Sequence, residues 1–177
     1  HLNKIISIES DGSSVTCQPG VVLDELNQTL APYGRKIGPD PSSGNRAVIG
    51  GCLANNATGA HSLISGYFDD HVESIQAVLA DGSIVKFGNN IDPNTEPDKI
   101  VAFLAKKCLD LLAPKQDLIR KAQPTTKRNH CGYNISDICH EARSDLARLM
   151  AGSEGTLATF TGITLRTVEI PKAKACS

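Results

Sequence analysis

Ile49–Ser62 reads "IGGCLANNATGAHS", three glycines and two adjacent asparagines within fourteen residues. Glycine loses more backbone entropy on folding than any other residue, so such a cluster serves geometry or close approach. Gly50-Gly51 opens the main chain to a planar or phosphorylated ligand, and successive N–H groups can form an anion-binding concavity. "CLANNATG" reads as one or two helical turns, whose unpaired N–H groups favour negative charge. Asn55 and Asn56 donate and accept hydrogen bonds without adding charge, which suits a ring presenting both kinds of edge. A plain Gly-rich surface turn is the competing reading, and Gly/Asn clusters taken alone are commonly that. Loops also carry much of protein function.

The segment sits inside a longer Gly/Pro/Ser/Asn-rich run, residues 35–66. Ile37, Val48, Ile49, Leu53, Leu63 and Ile64 punctuate it, which argues against disorder and for a functional loop. On the N-terminal side, "NKIISIE" and "SVTCQP" flank "SDGSS", a hairpin pattern. "VVLDELNQTLAPYG" then puts Leu23, Leu26 and Leu30 on one helical face, stopped by Pro32 and Gly34. On the C-terminal side, Asp81-Gly82 joins two β-compatible runs in "ESIQAVLADGSIVKF". The pattern predicts a helix capped at Asn94 or Thr95, with Ile100, Phe103, Leu104, Leu111 and Leu112 near helical spacing. "KQDLIRKA" is a second short helix after Pro114. "SDLARLMAG" is a third, with Ser144 as N-cap and Gly152 as stop. "TLATFTGITLRTVEI" supplies one or two strands. Hairpins mixed with helices make the class α+β.

The 177 residues are 40% hydrophobic and 21% charged with net charge −1, so a core is affordable and no electrostatic footprint for nucleic acid or an anionic membrane surface appears. No apolar run approaches the roughly 20 residues of a spanning helix. No signal-peptide pattern opens the chain, so a cytoplasmic or membrane-peripheral location is expected. The start, "HLNKIISIE", reads as a cut within a longer protein. Six cysteines, Cys17, Cys52, Cys108, Cys131, Cys139 and Cys176, show no disulfide-framework spacing and read as free thiols. "HCGYNISDICH" brackets Cys131 and Cys139 with His130 and His140, but that cysteine gap is wider than structural zinc uses; no metal site is expected.

A second Gly-rich turn, "AGSEGTLA" at Ala151–Ala158, lies between a helix and a strand. It reads either as a cap plus turn or as a second backbone wall facing the same ligand. No Walker A loop, G-x-G-x-x-G or G-x-S-x-G is present. "FDDHVES" gathers Asp69, Asp70 and Glu73 around His71, either an acid/base or metal cluster or, as expected here, a solvated loop entering a strand.

Together, "VTCQPGVVLDELNQTLAPYGRKIGPDPSS", "RAVIGGCLANNATGAHS", "DHVESIQAVLADGS", "NHCGYNI" and "DLARLMAGSEGTLATFTGITLR" resemble the FAD-linked oxidases and dehydrogenases of the vanillyl-alcohol oxidase type. The resemblance is closest to the glycolate oxidase subunit and D-lactate dehydrogenase branch. It implies an α+β FAD-binding domain of two lobes with FAD between them, residues 1–34 belonging to the first lobe and 35–177 to the second. By the same resemblance, Pro39, Asp40, Pro41, Ser42 and Ser43, with Gly50, Gly51, Asn55, Asn56, Gly59 and Ala60, line the flavin and pyrophosphate. Either asparagine could be the one that faces the flavin. Gly152, Ser153, Glu154, Gly155 and Thr156, with the strand entering at Ala158–Thr161, add backbone contacts.

The family's Arg-Gly-Gly-Gly-Thr-Ser-like pyrophosphate turn normally precedes "HLNKI", and a substrate-binding cap domain normally follows "TLRTVEI". The chain therefore reads as a domain fragment lacking both, and catalytic residues are unassigned. "SLISGYFDDHV" also departs from the Arg-Tyr-Gly pattern common there. The resemblance implies a parent oxidising a small 2-hydroxy acid, bound through the cap, by hydride transfer to noncovalent FAD. An iron–sulfur acceptor, if used, lies elsewhere in the parent or on a partner, since no Cys-x-x-Cys-x-x-Cys cluster occurs here. The rival readings are a non-catalytic cofactor-binding fragment, an alkyl-glycerone-phosphate synthase and a cell-wall precursor reductase.

Overall fold

Turn chemistry and the alternation of apolar residues place the strands. Gly12, in left-handed conformation at φ 71°, reverses the chain between β1 (Ile5–Ile8) and β2 (Ser14–Cys17). The structure is a computed structural model and describes residues 2–124, 126, 132–136 and 138–171. In α1 (Leu23–Leu30), Leu23, Leu26 and Leu30 are all buried, as their spacing predicts. Gly34 ends the following 3-10 turn at φ 68° and leads into the short β3 (Arg35–Lys36).

The long segment is only partly irregular, because α2 (Ile49–Ala54) and α3 (Ser62–Ser65) lie within it. The expected second hairpin follows as β4 (Val72–Val78) and β5 (Ile84–Gly88). Then come α4 (Lys99–Leu112), α5 (Gln116–Ala122), the two-residue strands β6 (Cys139–His140) and β7 (Arg143–Ser144), α6 (Leu146–Met150), β8 (Thr159–Arg166) and β9 (Val168–Glu169).

Five strands form one antiparallel sheet in the order β1-β2-β8-β4-β5. Strand β8 is late in the chain yet sits between β2 and β4, so residues 1–34 and 35–177 contribute to the same sheet. The register stacks Val15 and Cys17 beside Leu165 and Ile163, Ile163 beside Ile75, and Ile75 beside Phe87, all buried on one face. The other face is polar there, with Thr16 and Thr164 hydroxyls 3.0 Å apart. α2 packs against β8, α6 against β4 and β5, and α4 against β5 and β7. This is the expected α+β class.

Two helix starts differ from the sequence reading. α4 begins after Asp98, whose Oδ1 accepts from Ile100 N and Val101 N at 2.9 and 3.2 Å, and not at Asn94 or Thr95. Pro97 disfavours helical backbone at the residue before it, so no helix runs through 94–97. α6 is capped by Asp145, whose Oδ1 accepts from Arg148 N at 2.8 Å. Ser144 is already committed by both backbone groups to a bridge with Ile91. No helix among the described residues is long and apolar enough to cross a membrane.

Candidate functional site

The two glycines that open α2 have different jobs. A Cβ at Gly50 would lie 2.5 Å from Pro19 Cβ, and Gly50 N donates to Pro19 O at 2.8 Å. Gly50 is therefore glycine because the Pro19 turn presses on it. A Cβ at Gly51 would meet only Val48 Cγ2, at 3.5 Å, and otherwise project into open space. The close approach expected of the pair belongs to Gly51.

That open space is a groove. On one side of Gly51 lies a cleft of about 340 Å³ walled by Pro41, Ser43, Ala47, Cys52, Asn55, Ala57 and Thr58. On the other lies a more apolar cleft of about 500 Å³ walled by Leu2, Pro19, Gly20, Val48, Gly50, Ala54, Gly155, Ala158, Thr159 and Phe160. Gly51 lines both, so the two are halves of one surface. Neither half is lined by a charged side chain among the described residues. A separate cleft of about 450 Å³ near Lys86 and Arg143 shares no residue with the groove. Its carboxylates Asp92, Glu96 and Asp98 each accept local hydrogen bonds.

The second Gly-rich turn docks on the end of α2. Gly152 N and Glu154 N donate to Leu53 O and Ala54 O at 3.0 and 2.9 Å, satisfying carbonyls that a helix end leaves unpaired. The turn needs left-handed backbone at Gly152, Glu154 and Gly155, with φ of 82°, 52° and 73°. Asn55 Nδ2 donates to Glu154 Oε1 at 3.1 Å, tying the two turns through side chains. Thr156 Oγ1 donates to Ser153 O and lies 2.9 Å from the Tyr133 hydroxyl.

Asn55 and Asn56 are unlike. Asn55 is exposed on the groove wall. Asn56 is buried at φ 48°, and its Oδ1 accepts from Asp69 N at 2.9 Å. Asn56 is part of the scaffold, and Asn55 is the asparagine available to a ligand. Asp69 is buried too, receiving Arg148 Nε at 2.9 Å and Asn134 Nδ2 at 2.7 Å on one oxygen, while Arg148 Nη2 reaches Asp70 at 3.1 Å. His71 is buried and pairs with Ser65 O at 2.6 Å. Instead of the expected solvated loop, "FDDHVES" supplies an ion-paired strut under the site; Glu73 is apart from it, accepting from Ser14 Oγ. Among the described residues no His/Cys/Asp/Glu group could hold a metal, and His130 and Cys131 lie outside them.

Other expected residues frame the groove from behind. Asp40 holds His61 twice, through His61 N at 3.2 Å and the imidazole Nδ1, and so joins the 39–43 loop to the 59–66 segment. Partial burial pushes the Asp40 carboxyl up, but the His61 hydrogen bonds and charge outweigh it and hold it below its ordinary value. Gly59 lies so close to Asp40 that any Cβ would collide with its carbonyl. Pro39 and Ser153 are buried, and Ser42 and Ala60 are exposed without lining either cleft. Of the sixteen expected residues, the groove brings together Pro41, Ser43, Gly50, Gly51, Asn55 and Gly155. Pro19-Gly20 and Thr58 were not singled out; Pro-Gly reads as a helix prelude, and its role as a wall depends on the fold.

Burial also decides two nucleophile questions. The Cys52 thiol beneath the groove is pushed up to about 11 and that of Cys17 to about 12, so both stay protonated near neutral pH. Burial thus leaves Cys52 a weakly ionised thiol at the groove wall. The groove is lined by uncharged groups, and Gly51 is where a side chain would narrow it.

Comparison with known proteins bears on the family and the fold. The sequence model of the FAD binding domain family matches residues 1–88. The chain is 33% identical over 184 aligned positions to D-2-hydroxyglutarate dehydrogenase of Escherichia coli K12, covering 98% of this chain and 18% of that protein. It is 40% identical over 166 positions to a mitochondrial D-lactate dehydrogenase [cytochrome] of Kluyveromyces lactis, covering 94% and 20%. It is 26% identical to the glycolate oxidase subunit GlcD of Bacillus subtilis, covering 98% and 27%. Among solved structures, an alkyldihydroxyacetonephosphate synthase superposes with a TM-score of 0.57 at 19% identity, covering 97% of this chain and 22% of that one, which bears on the fold alone. The chain thus spans about a fifth to a quarter of the length of these relatives. It belongs to the FAD-linked oxidase and dehydrogenase family, as part of an FAD-binding domain, and its cofactor is FAD.

Proposed function

We propose that the groove across Gly51 is one wall of the FAD site in an enzyme that oxidises a small 2-hydroxy acid. The observation that carries the reading is the continuous uncharged groove whose floor is a glycine and whose rims are the two Gly-rich turns. Asn55 is placed to offer neutral hydrogen bonds to a ring edge, and its bond to Glu154 sets its orientation. The apolar half, with Val48, Ala158 and Phe160, keeps water from one side of a bound ring. When bound, FAD would supply the hydride acceptor for the carbon that carries the substrate hydroxyl.

The groove's described lining contains no carboxylate, imidazole or amine, and its one thiol is held protonated. This wall therefore binds and orients, and the base that takes the hydroxyl proton belongs to another part of the protein. The substrate class is supported by relatives named for D-2-hydroxyglutarate, D-lactate and glycolate. The test is anaerobic addition of these three acids to the intact protein while flavin absorbance is followed. Bleaching by at least one is expected. An intact protein that lacks flavin absorbance and takes up no FAD would contradict the site, and an FAD-loaded protein bleached by none would contradict the substrate class.

A further inference from the structure

Glu154 holds left-handed backbone at φ 52° in a turn whose other left-handed positions, Gly152 and Gly155, are glycine. Glycine takes that backbone without steric cost and glutamate does not, so the residue is there for its side chain. That side chain accepts Asn55 Nδ2 at 3.1 Å. An ionised carboxylate has no hydrogen to donate, so the Asn55 amide can meet it only through its NH2 group. The carboxylate therefore fixes the sense of an amide whose two ends are otherwise alike in shape. Glu154 lines neither half of the groove, whereas Asn55 lines the smaller one. The NH2 end is held at the turn. The carbonyl Oδ1, which has no partner among the described residues, is the end Asn55 offers to the groove.

Thr58 is the second side chain of fixed sense in that half. Its Oγ1 donates its one hydrogen to Gly66 O at 3.1 Å, which leaves only lone pairs for anything else. The Ser43 hydroxyl has no side-chain partner among the described residues and serves in either sense. Two committed acceptors thus stand on one wall. Phosphate oxygens also only accept, so a diphosphate is poorly matched to them. In the open groove water satisfies both. A ligand that covers them has to bring its own N–H, or leave them buried without a partner. FAD carries such a group on each of its ring systems, the imide N–H of the flavin and the amine of the adenine.

We infer that Asn55, oriented by Glu154, is a specificity-determining residue that makes the smaller half of the groove select a ring edge donating an N–H. The inference rests on the groove being a wall of the FAD site and names the kind of edge this half takes. The test reconstitutes the flavin-free intact protein with three dinucleotides, followed by flavin fluorescence. They are FAD, FAD methylated at flavin N3, and an FAD analogue carrying purine in place of adenine. FAD should bind about tenfold or more tighter than at least one analogue, the effect of an acceptor left buried and unpaired. The analogue that loses affinity identifies the ring. Asn55→Ala should abolish the preference. Glu154→Gln is nearly isosteric but lets the Asn55 amide turn either way, so the preference should narrow without a change of volume. That variant separates hydrogen-bond sense from the bulk of the added methyl. Both positions are exposed, so unchanged melting curves would confirm that the variants fold. Equal binding of all three dinucleotides, or a preference that either variant retains undiminished, would overturn the inference and leave the FAD site standing. Uptake of none of the three would contradict the site itself, and the inference with it.

Discussion

At single residues, chemically identical neighbours do different work. Gly50→Ala should destabilise by about 1–3 kcal/mol, because the new methyl meets the Pro19 ring in a packed turn. Gly51→Ala should fold at least as well as the parent, since helical glycine costs about 1 kcal/mol and the space is open. Thermal melts of the two variants check this contrast. Asn56→Ala should cost about 1–3 kcal/mol by leaving the buried Asp69 N–H without its acceptor. Asn55→Ala at the exposed position should stay within about 0.5 kcal/mol in a denaturant titration. None of these distinctions was legible in "IGGCLANNATGAHS". They arise from Pro19, some thirty residues before, and from Asp69, thirteen residues after Asn56.

At the scale of elements, the hairpins and α1 were legible because their signals are local: a two-residue turn, or leucines three and four apart. The starts of α4 and α6 were misplaced because Pro97 and the Ile91–Ser144 bridge decide them. The stripe Ile100–Phe103–Leu111 was correctly read as helical, but period alone does not say which of two apolar faces is inside. The 59–66 segment makes its own prediction, through the Asp40–His61 latch. Asp40 has a folded pKa below its unfolded value of about 3.9, so the latch contributes fully above that pH and is lost as pH falls through the lower folded value. An NMR titration of the Asp40 carboxyl should give a midpoint below about 3.9, and a midpoint at or above it would contradict the latch. At neutral pH, Asp40→Asn should speed amide exchange in 59–66 and leave the β4–β8 pairing protected.

At the scale of the whole molecule, the groove depends on three distant stretches. Residues 41–58 give the floor and one rim, Leu2 and Pro19-Gly20 another, and 155–160 the last. β8, lying between β2 and β4, brings them together, a topology that strand signals in sequence do not reveal. The groove is open and lined by no cation among the described residues, so the FAD diphosphate stays largely solvated against this chain. A Kd of micromolar or weaker is expected for FAD, and sub-micromolar binding would contradict that expectation. The most direct test of the central claim is a flavin-fluorescence titration of the chain beside its Gly51→Leu variant. Leucine favours the helix and touches little, so the variant should keep its melting temperature while losing at least tenfold in FAD affinity. Equal affinity in a folded Gly51→Leu chain would show that the flavin does not lie across Gly51.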